Sequence, residues 1–551
     1  MIDAYTGASV RAAEQPLLDA GYGDILMRRA ALGLSRVCET HLRRANRKGL
    51  LSGTTAVILV GSGNNGGDGL WAGSFLRRAG VMVTAILTGS KAHPQGLKAL
   101  RALGGSVVRL EGQDAASNPD ADPHESIAGF HTVDRGQALS KMTSAHLVLD
   151  AMLGTGASGG LRGEAAALVE NFNTFQRTSP TGPRIVACDV VSGVDADTGE
   201  SPEPVLEAHA TVTFGAAKVA HVVAPGEQAS GQLTVIPIGI EDRLQNPSVF
   251  RLEAKDILKA WPRPKPTDTK YTRGVLGVVA GTPSYPGAAI MSTNAAVNSG
   301  AGMIRFLGDA TTRGMVLAQS PEVVCSDDQP WDVHVQAWLA GPGVADDESQ
   351  SARVQAVIEA QEPAVLDAGA LTPAAQAVVD GRLGAHKILT PHAGELEQVF
   401  EWLKGFGITD DAPDRVRIEA APVYWAREAA RLTGATVLLK GATTIIASPG
   451  SEEERIGQVC LSVGQASPWL ATAGSGDTLA GILGTVVAHV AEHSDALRSL
   501  GEWARGDGRW AAAAALGAGV HALASRVDGE GPVPPTVLAA NVRTVLRKTR
   551  Q

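Results

Sequence analysis

Two glycine-rich loops, one in each half of the chain, carry acids beside a helix start. The first reads GSGNNGGDGL over residues 61–70; it follows the apolar run 54–60 and leads into a helix-like stretch. The second reads ATAGSGDTLAG over residues 471–481 and opens a helix. A helix start offers unpaired N–H groups and the positive end of a dipole, so each loop suits a phosphate or another anion. A carboxylate beside such a cradle adds proton transfer to binding. Two such sites on one chain point to a two-step enzyme.

The elements that must position these loops follow from apolar periodicity. Helical patterns run around residues 9–20 and 24–47, followed by TAVILV, VMVTAIL, AHLVLDAMLG, RIVACDVVSG, ATVTFG and QLTVIPIG. Runs of strand length alternating with amphipathic helices predict parallel strands covered on both faces. The polar stretch 111–136 reads as a surface loop or short insertion. After a boundary near residue 245, the Pro-rich WPRPKPTDTK reads as an ordered lead-in. The alternation then restarts through GVLGVVAG, AWLAGPG, PAVLDAGAL, HKILTPHAGE and ATVLLKGATTIIA. The fold class is α/β, with one domain over 1–245 and a second over 246–551. The length of 551 residues fits two cores better than one.

Composition narrows the partners. A formal net charge of −9 leaves no broad basic surface, so neither nucleic acid nor anionic membrane is an expected partner. A phosphate-bearing ligand must be held locally, by loops and single basic residues. Cys38, Cys188, Cys325 and Cys460 form no CxxC pair and are expected as buried thiols in a reducing compartment. The 13 histidines show no HExxH or similar spacing, so no zinc site is read. There is no signal-like start and no run long enough to span a bilayer, so a soluble, cytoplasmic protein is expected.

At the first loop Gly61, Gly63 and Gly66 satisfy GxGxxG, but the next strand ends in Thr88, Gly89 and Ser90, with no acid for a ribose hydroxyl. An ordinary NAD dehydrogenase is therefore disfavoured. The loop instead offers Asn64, Asn65 and Asp68. Two further strands end in acids, Asp150 before AMLGTGASGG and Asp189 before VVSGVDADTG. Loops at the carboxyl ends of parallel strands share one crevice, where Asn65, Asp150 and the Ser192 hydroxyl could converge as oxygen ligands for a cation. Aspartates also cap turns, but three such loops on one edge favour a site.

NNGGDG, DAMLGTG and DVVSGVDADTG together resemble the three signatures of the YjeF N-terminal family, the NAD(P)H-hydrate epimerases, over most of residues 1–240. The resemblance implies a Rossmann-like three-layer domain. Hydrated NAD(P)H would be bound by Asn64, Asn65, Gly66, Gly67 and Asp68, by Gly154, Thr155, Gly156, Ala157, Ser158, Gly159 and Gly160, and by Asp189. It also implies potassium on Asn65, Asp150 and Ser192. Ser62 and Val191 stand where the family usually has proline; neither change removes a ligand. Epimerisation at a hydroxyl-bearing ring carbon needs a carboxylate to move the hydroxyl proton, and Asp189 is the expected one.

At the second loop Gly474 and Gly476 let backbone approach an anion, and Asp477 is placed to take a proton from a hydroxyl attacking a phosphate. A plain N-cap is the ordinary alternative. AGPG, TPHAGE and LLKG each close an apolar run with a ligand-suited turn, while Trp469 is expected to pack. KYTRG, VVAGTPSYPGAA, LDAGAL, TPHAGE, KG and ATAGSGD resemble, in order over roughly 250–540, the NAD(P)H-hydrate dehydratase branch of the ribokinase-like fold. That resemblance implies hydrated NAD(P)H near Ala288, Gly343, His392 and Asp477. It puts the adenine nucleotide, ADP or ATP, on Lys440, Gly441, Ala442, Thr443, Thr444 and Gly476, with Mg2+ on its phosphates and Asp477 as catalytic base. Ser467 and Gly369 depart from the family's usual asparagine and second acid. The implied function is repair of hydrated NADH and NADPH by a homo-oligomeric enzyme. A ribokinase-class small-molecule kinase with a non-catalytic N-terminal binding module is the alternative.

Overall fold

The apolar runs form strands because their residues are buried on both sides of a pleated sheet, which a helix with one apolar stripe does not need. The computed structural model describes every residue except 47, 113–128, 157–158, 180, 382, 451–457, 465 and 548–551. The backbone divides into one unit of residues 3–248 and another of residues 249–551 with 1–2.

The strands of the first unit are β1 (Ile2–Tyr5), β2 (Thr55–Val60), β3 (Met82–Leu87), β4 (Ser106–Leu110), β5 (Thr132–Val133), β6 (Leu147–Ala151), β7 (Arg184–Cys188), β8 (Ala210–Phe214), β9 (Ala217–Lys218) and β10 (Gln232–Ile236). Eight of them form a sheet in the order β10-β8-β7-β6-β2-β3-β4-β5, and every pair in it is parallel. From β2 the chain moves outward through β3, β4 and β5, then returns to β6 on the other side. The β2–β6 junction is thus a topological switch point, where ligands of open α/β sheets collect. The pleat sends Ile58 and Val60 to one helical layer with Leu34, Leu70 and Leu76. Val57 and Leu59 go to the other, with Leu168 and Phe172.

Of the stretch 111–136, expected as a surface loop or short insertion, residues 113–128 lie outside the described residues, and the end of it is regular. Thr132–Val133 adds an edge strand to β4, and Asp134 begins the helix Arg135–Thr143 through a capping box with Gln137. A two-residue strand is too short to leave a periodic trace in the sequence. Helices expected over 9–20 and 24–47 run Gly7–Asp19 and Gly23–Ala45.

The second unit contains β11 (Val249–Arg251), β12 (Val275–Val279), β13 (Met303–Leu307), β14 (Val324–Ser326), β15 (Ala337–Ala340), β16 (Ala364–Leu366), β17 (Lys387–Leu389), β18 (Thr436–Leu439), β19 (Thr444–Ala447) and β20 (Cys460–Val463). Their order is β14-β13-β12-β15-β16-β17-β18-β19-β20-β11. Only β19 runs antiparallel to its neighbours. Residues 440–443 are too few for a crossover, and a loop that short can only reverse the chain. One face packs on the helices Pro286–Ser299, Ser475–Glu492 and Gly508–Ala524. The last of these, GRWAAAAALGAGVHALA, is buried almost all round, and alanine lets neighbouring backbones come close. Helices Glu348–Glu359 and Pro422–Thr433 also pack against the strands, and Trp338 of β15 is fully buried.

Among the described residues no helix is long and apolar enough to cross a membrane. All four cysteines are free; three are buried, and Cys325, expected to be buried, is partly exposed on an edge strand. Phe172 is fully buried between helix and sheet. Phe172→Ala should lower the stability of the first unit by about 3–5 kcal/mol, read as an earlier midpoint in urea unfolding.

Candidate functional site

In the first unit the acids foreseen from sequence meet at the switch point. The turn after β2 can pass against β6 only because it lacks side chains: a Cβ on Gly61 would lie 1.8 Å from Met152 O, and one on Gly66 2.1 Å from Gly61 O. That turn starts the helix Asn64–Arg78. Asn65 Nδ2 donates to Leu153 O at 2.8 Å, and Gly154 packs against the Asn65 side chain. The Ser192 hydroxyl donates to Asp150 Oδ1 and Ser192 N–H donates to Asp150 Oδ2 at 2.8 Å. Asn65, Asp150 and Ser192 therefore form one buried cluster through Leu153, which donates its N–H to Ser192 Oγ at 2.8 Å.

This cluster fits a monovalent cation. Asn65 Oδ1 is buried and accepts no hydrogen bond. Asp150 is fully buried, and no Lys or Arg among the described residues pairs with it. Burial pushes its carboxyl above the ordinary value, against the hydrogen bonds from Ser192 and Met152. A cation held by Asn65, Asp150 and Ser192 would satisfy the orphaned oxygen and favour the ionised acid.

Asp189 follows β7 with φ 64°, in the left-handed region that non-glycine residues occupy mainly when their surroundings impose it. Its N–H donates to Val212 O at 2.7 Å. Its carbonyl lies 2.9 Å from His221 Nε2, and His221 Nδ1 accepts from Lys218 N–H at 3.0 Å. These contacts assign the proton to Nε2. Burial, then the Lys218 charge, lowers the His221 pKa to about 4. Lys218 Nζ donates to Asp189 Oδ1 at 2.7 Å, and the Thr213 hydroxyl donates to the same oxygen at 2.9 Å. Burial pushes the Asp189 carboxyl up, but Lys218, His221 and Thr213 together hold it below its ordinary value.

Thr155 N–H lies 3.5 Å from Asp189 Oδ2, so Gly154 and Thr155 join this crevice, while Gly160 packs on Pro202. Gly156 faces open space and Gly159 lies beside Arg162, and Ala157 and Ser158 lie outside the described residues. The later acids of the same motif serve the turn: Asp195 accepts from Asp197 N–H and Thr198 N–H, each at 2.9 Å. Lys218, Thr213 and His221 were not foreseen. Their only signal was that β7 and β8 run in succession, which makes their loops neighbours.

In the second unit the foreseen residues line the carboxyl ends of adjacent strands. Gly343 follows β15 and approaches Ala288, whose Cβ would be 2.5 Å from a Cβ on that glycine. His392 follows β17 and bridges to Lys440 after β18; His392 and Glu395 form a capping box. The hairpin turn 440–443 and Thr444 share this edge, with Gly441 and Ala442 exposed and Thr443 buried. Gly474, at φ 90°, starts the helix Ser475–Glu492. Gly476 faces Lys440, whose Nζ would be 3.8 Å from an added Cβ. Trp469, expected to pack, is half exposed beside this loop; the short 3-10 turn Pro468–Leu470 lifts it off the core.

Asp367 was quoted in LDAGAL without a role, and the structure gives it one. Its Oδ1 accepts from Lys440 Nζ at 2.8 Å and from the Thr390 hydroxyl at 2.8 Å, and Glu395 Oε2 lies 3.5 Å from the same ammonium. Burial opposes the Lys440 charge, but Asp367 and Glu395 outweigh it and hold its pKa above the ordinary value. Burial and then the Asp367 charge raise the Asp477 pKa to about 6, against the pull of Lys440. Such a carboxyl is ionised near neutral pH yet basic enough to take a proton.

Comparison with known proteins adds to this geometry. A family model described as NAD(P)H-hydrate dehydratase matches residues 276–528, and one described as YjeF-related protein N-terminus matches residues 23–220. The bifunctional NAD(P)H-hydrate repair enzyme Nnr of Mycobacterium tuberculosis is 38% identical over 487 residues, 88% of this chain and 89% of that protein. The protein of the same description from Escherichia coli is 27% identical, over 78% of this chain and 76% of its own. A solved ADP/ATP-dependent NAD(P)H-hydrate dehydratase from Bacillus subtilis, co-crystallised with ATP and Mg2+, superposes with a TM-score of 0.43 at 22% identity, covering 55% of this chain and 99% of that one.

The folded pKa of Asp477, about 6, stands above the ordinary 3.8 of an aspartate, so its ionisation costs the fold stability as pH rises from about 4 through about 6. Carboxyl 13C titration should place its midpoint near 6. Asp367→Asn should move that midpoint down, because one of the two raising causes is removed.

Proposed function

The chain belongs to the bifunctional NAD(P)H-hydrate repair enzyme (Nnr) family, and from that premise we propose that it repairs hydrated NADH and NADPH in two steps. The first unit interconverts the R and S hydrates; the second dehydrates the S hydrate at the expense of ADP or ATP. The observation that carries the reading is Asp477, a carboxyl in the first turn of a helix, with a pKa raised to about 6.

In the first unit the reacting carbon bears a hydroxyl beside the ring nitrogen. Its configuration is lost if the hydroxyl leaves and returns, or if the ring opens and closes. Either route needs a proton moved at a ring substituent, and Asp189 is the group for it. Amides of the first turn of Asn64–Arg78 suit the coenzyme's phosphates. Asn65, Asp150 and Ser192 would hold potassium, whose charge would keep Asp150 ionised.

In the second unit hydroxide is a poor leaving group, so phosphate from the nucleotide is first placed on the hydroxyl. Asp477 takes the hydroxyl proton as the oxygen attacks phosphorus. The ring nitrogen then expels phosphate, and loss of the neighbouring ring proton restores the reduced nicotinamide. Amides at Gly476 and the ammonium of Lys440 suit the phosphates, with the adenine nucleotide along the turn 440–444. Among the described residues no group of three or more His, Cys, Asp or Glu could hold a metal. Magnesium would come with the nucleotide and would neutralise its phosphate charge.

Purified chain given both hydrate epimers with ADP or ATP should regenerate the absorbance of reduced nicotinamide from each. Accumulation of a stable phosphoester instead would identify a ribokinase-class kinase. Asp477→Asn should lower dehydration by about 10²–10⁴-fold while epimer exchange, followed by chromatography, continues. Replacing potassium by a bulky organic cation should slow epimer exchange and spare dehydration of the S hydrate.

A further inference from the structure

The first unit buries Lys218 against Asp189, and the helix whose start meets the end of β7, through Cys188 Sγ at 3.9 Å from Asn65 O, carries a carboxyl, Asp68, with one oxygen buried and unpaired; the foregoing chemistry leaves both without a task. Lys218 is 2% exposed. Its Nζ donates to Asp189 Oδ1 at 2.7 Å, Thr213 Oγ1 at 2.8 Å and Phe214 O at 3.1 Å, so all three of its protons are committed. Asp189 Oδ1 is thereby saturated, while among the described residues Oδ2 receives only the long 3.5 Å contact from Thr155 N–H. The carboxylate presents one free oxygen in a fixed direction. Asp68 is its opposite. It sits one turn into the helix Asn64–Arg78, its Oδ1 is buried, and that oxygen has no hydrogen-bond partner.

Resting on the reading of this unit as the epimerase, we propose that Asp68 is its second catalytic residue, the proton donor that acts against Asp189. Lys218 is the positioning residue that clamps Asp189 as the proton acceptor. The electrostatics agree with this geometry. Burial, then the charges of Asp189 and Glu14, push the Asp68 carboxyl well above its ordinary value, against Lys218. Asp189 is held low by the same lysine. The remaining groups facing the pair take no proton near neutral pH: His221 has a pKa of about 4, and burial pushes the Cys188 thiol up. Glu14 is itself raised by burial and by Asp189. Two carboxyls driven apart in this way divide into an acid and a base.

The step balances without any oxidant or reductant. Asp189 Oδ2 takes the hydroxyl proton, the O–H electron pair becomes the second bond of a carbonyl, and the ring C–N bond breaks. Its electron pair stays on nitrogen, which takes the proton of Asp68. The open aldehyde turns about its C–C bond and closes on the other face, and both protons return. Atoms and charge are the same before and after.

The test uses the full chain with separated R and S hydrates of NADH and saturating nucleotide, so that the second unit reports on both. Asp68→Asn should consume the S hydrate at the wild-type rate, while kcat for use of the R hydrate falls about 100-fold or more with KM within about threefold. Lys218→Met should move the acidic limb of epimer exchange, followed directly by chromatography without nucleotide so that Asp477 does not enter, up by about one pH unit or more, and Lys218→Arg should restore it. A normal kcat in Asp68→Asn, or a change in KM alone, overturns the assignment of Asp68. An acidic limb that stays in place in Lys218→Met overturns that of Lys218; near-UV circular dichroism checks that this variant is folded. Wild-type chain that uses S but never R, beyond the spontaneous rate, overturns the epimerase reading together with this one, and so is distinguished from failure of either variant alone.

Discussion

A buried charge in this chain persists only where a partner stands within reach, and both sites are organised around that constraint. Transfer of a lone carboxylate from water to a protein interior is costly, and an opposing ammonium or several hydrogen-bond donors must offset it. Lys218 meets Asp189 in one unit and Lys440 meets Asp367 in the other. Around each pair stands an acid without such a partner, Asp68 or Asp477, and burial lifts both above the ordinary carboxylate range. The contrast between a paired and an unpaired acid yields groups of different proton affinity from one residue type.

The same device is arranged differently in the two units. In the first, the lysine grips the acid that faces the crevice and spends its three protons there and on Thr213 and Phe214. In the second, Lys440 grips Asp367 and Glu395 and stands beside the helix start that carries Asp477. The first arrangement suits a reversible exchange that needs both an acid and a base. The second suits a single deprotonation next to anionic phosphate, where a lysine already at the helix start adds to the dipole.

The parallel sheet supplies the reach. Strands that run the same way deliver their loops to one edge, so Asn65, Asp150 and Asp189 become neighbours through the order β2-β6-β7. That much was legible, because strand-length apolar runs ending in Gly or Asp advertise both the strand and its loop. Asp477 was legible for the same reason. Less visible were Lys218 and His221, which sit in a short stretch with no periodic pattern, and the antiparallel β19, whose direction depends on the length of one turn. Asp367 was in view as part of a motif, but its tie to Lys440 needed β16 and β18 to lie on either side of β17.

Residue order alone set the alternation of strands and helices, the two glycine-rich turns, and the presence of an acid at each. Those are local properties: steric limits at a turn and apolar period along a run are felt within a few residues. Tertiary structure decided which acid is held below the ordinary carboxylate range and which is pushed above it. Proton affinity in an interior depends on burial and on the nearest opposite charge, and the chain brings those together from segments far apart in sequence.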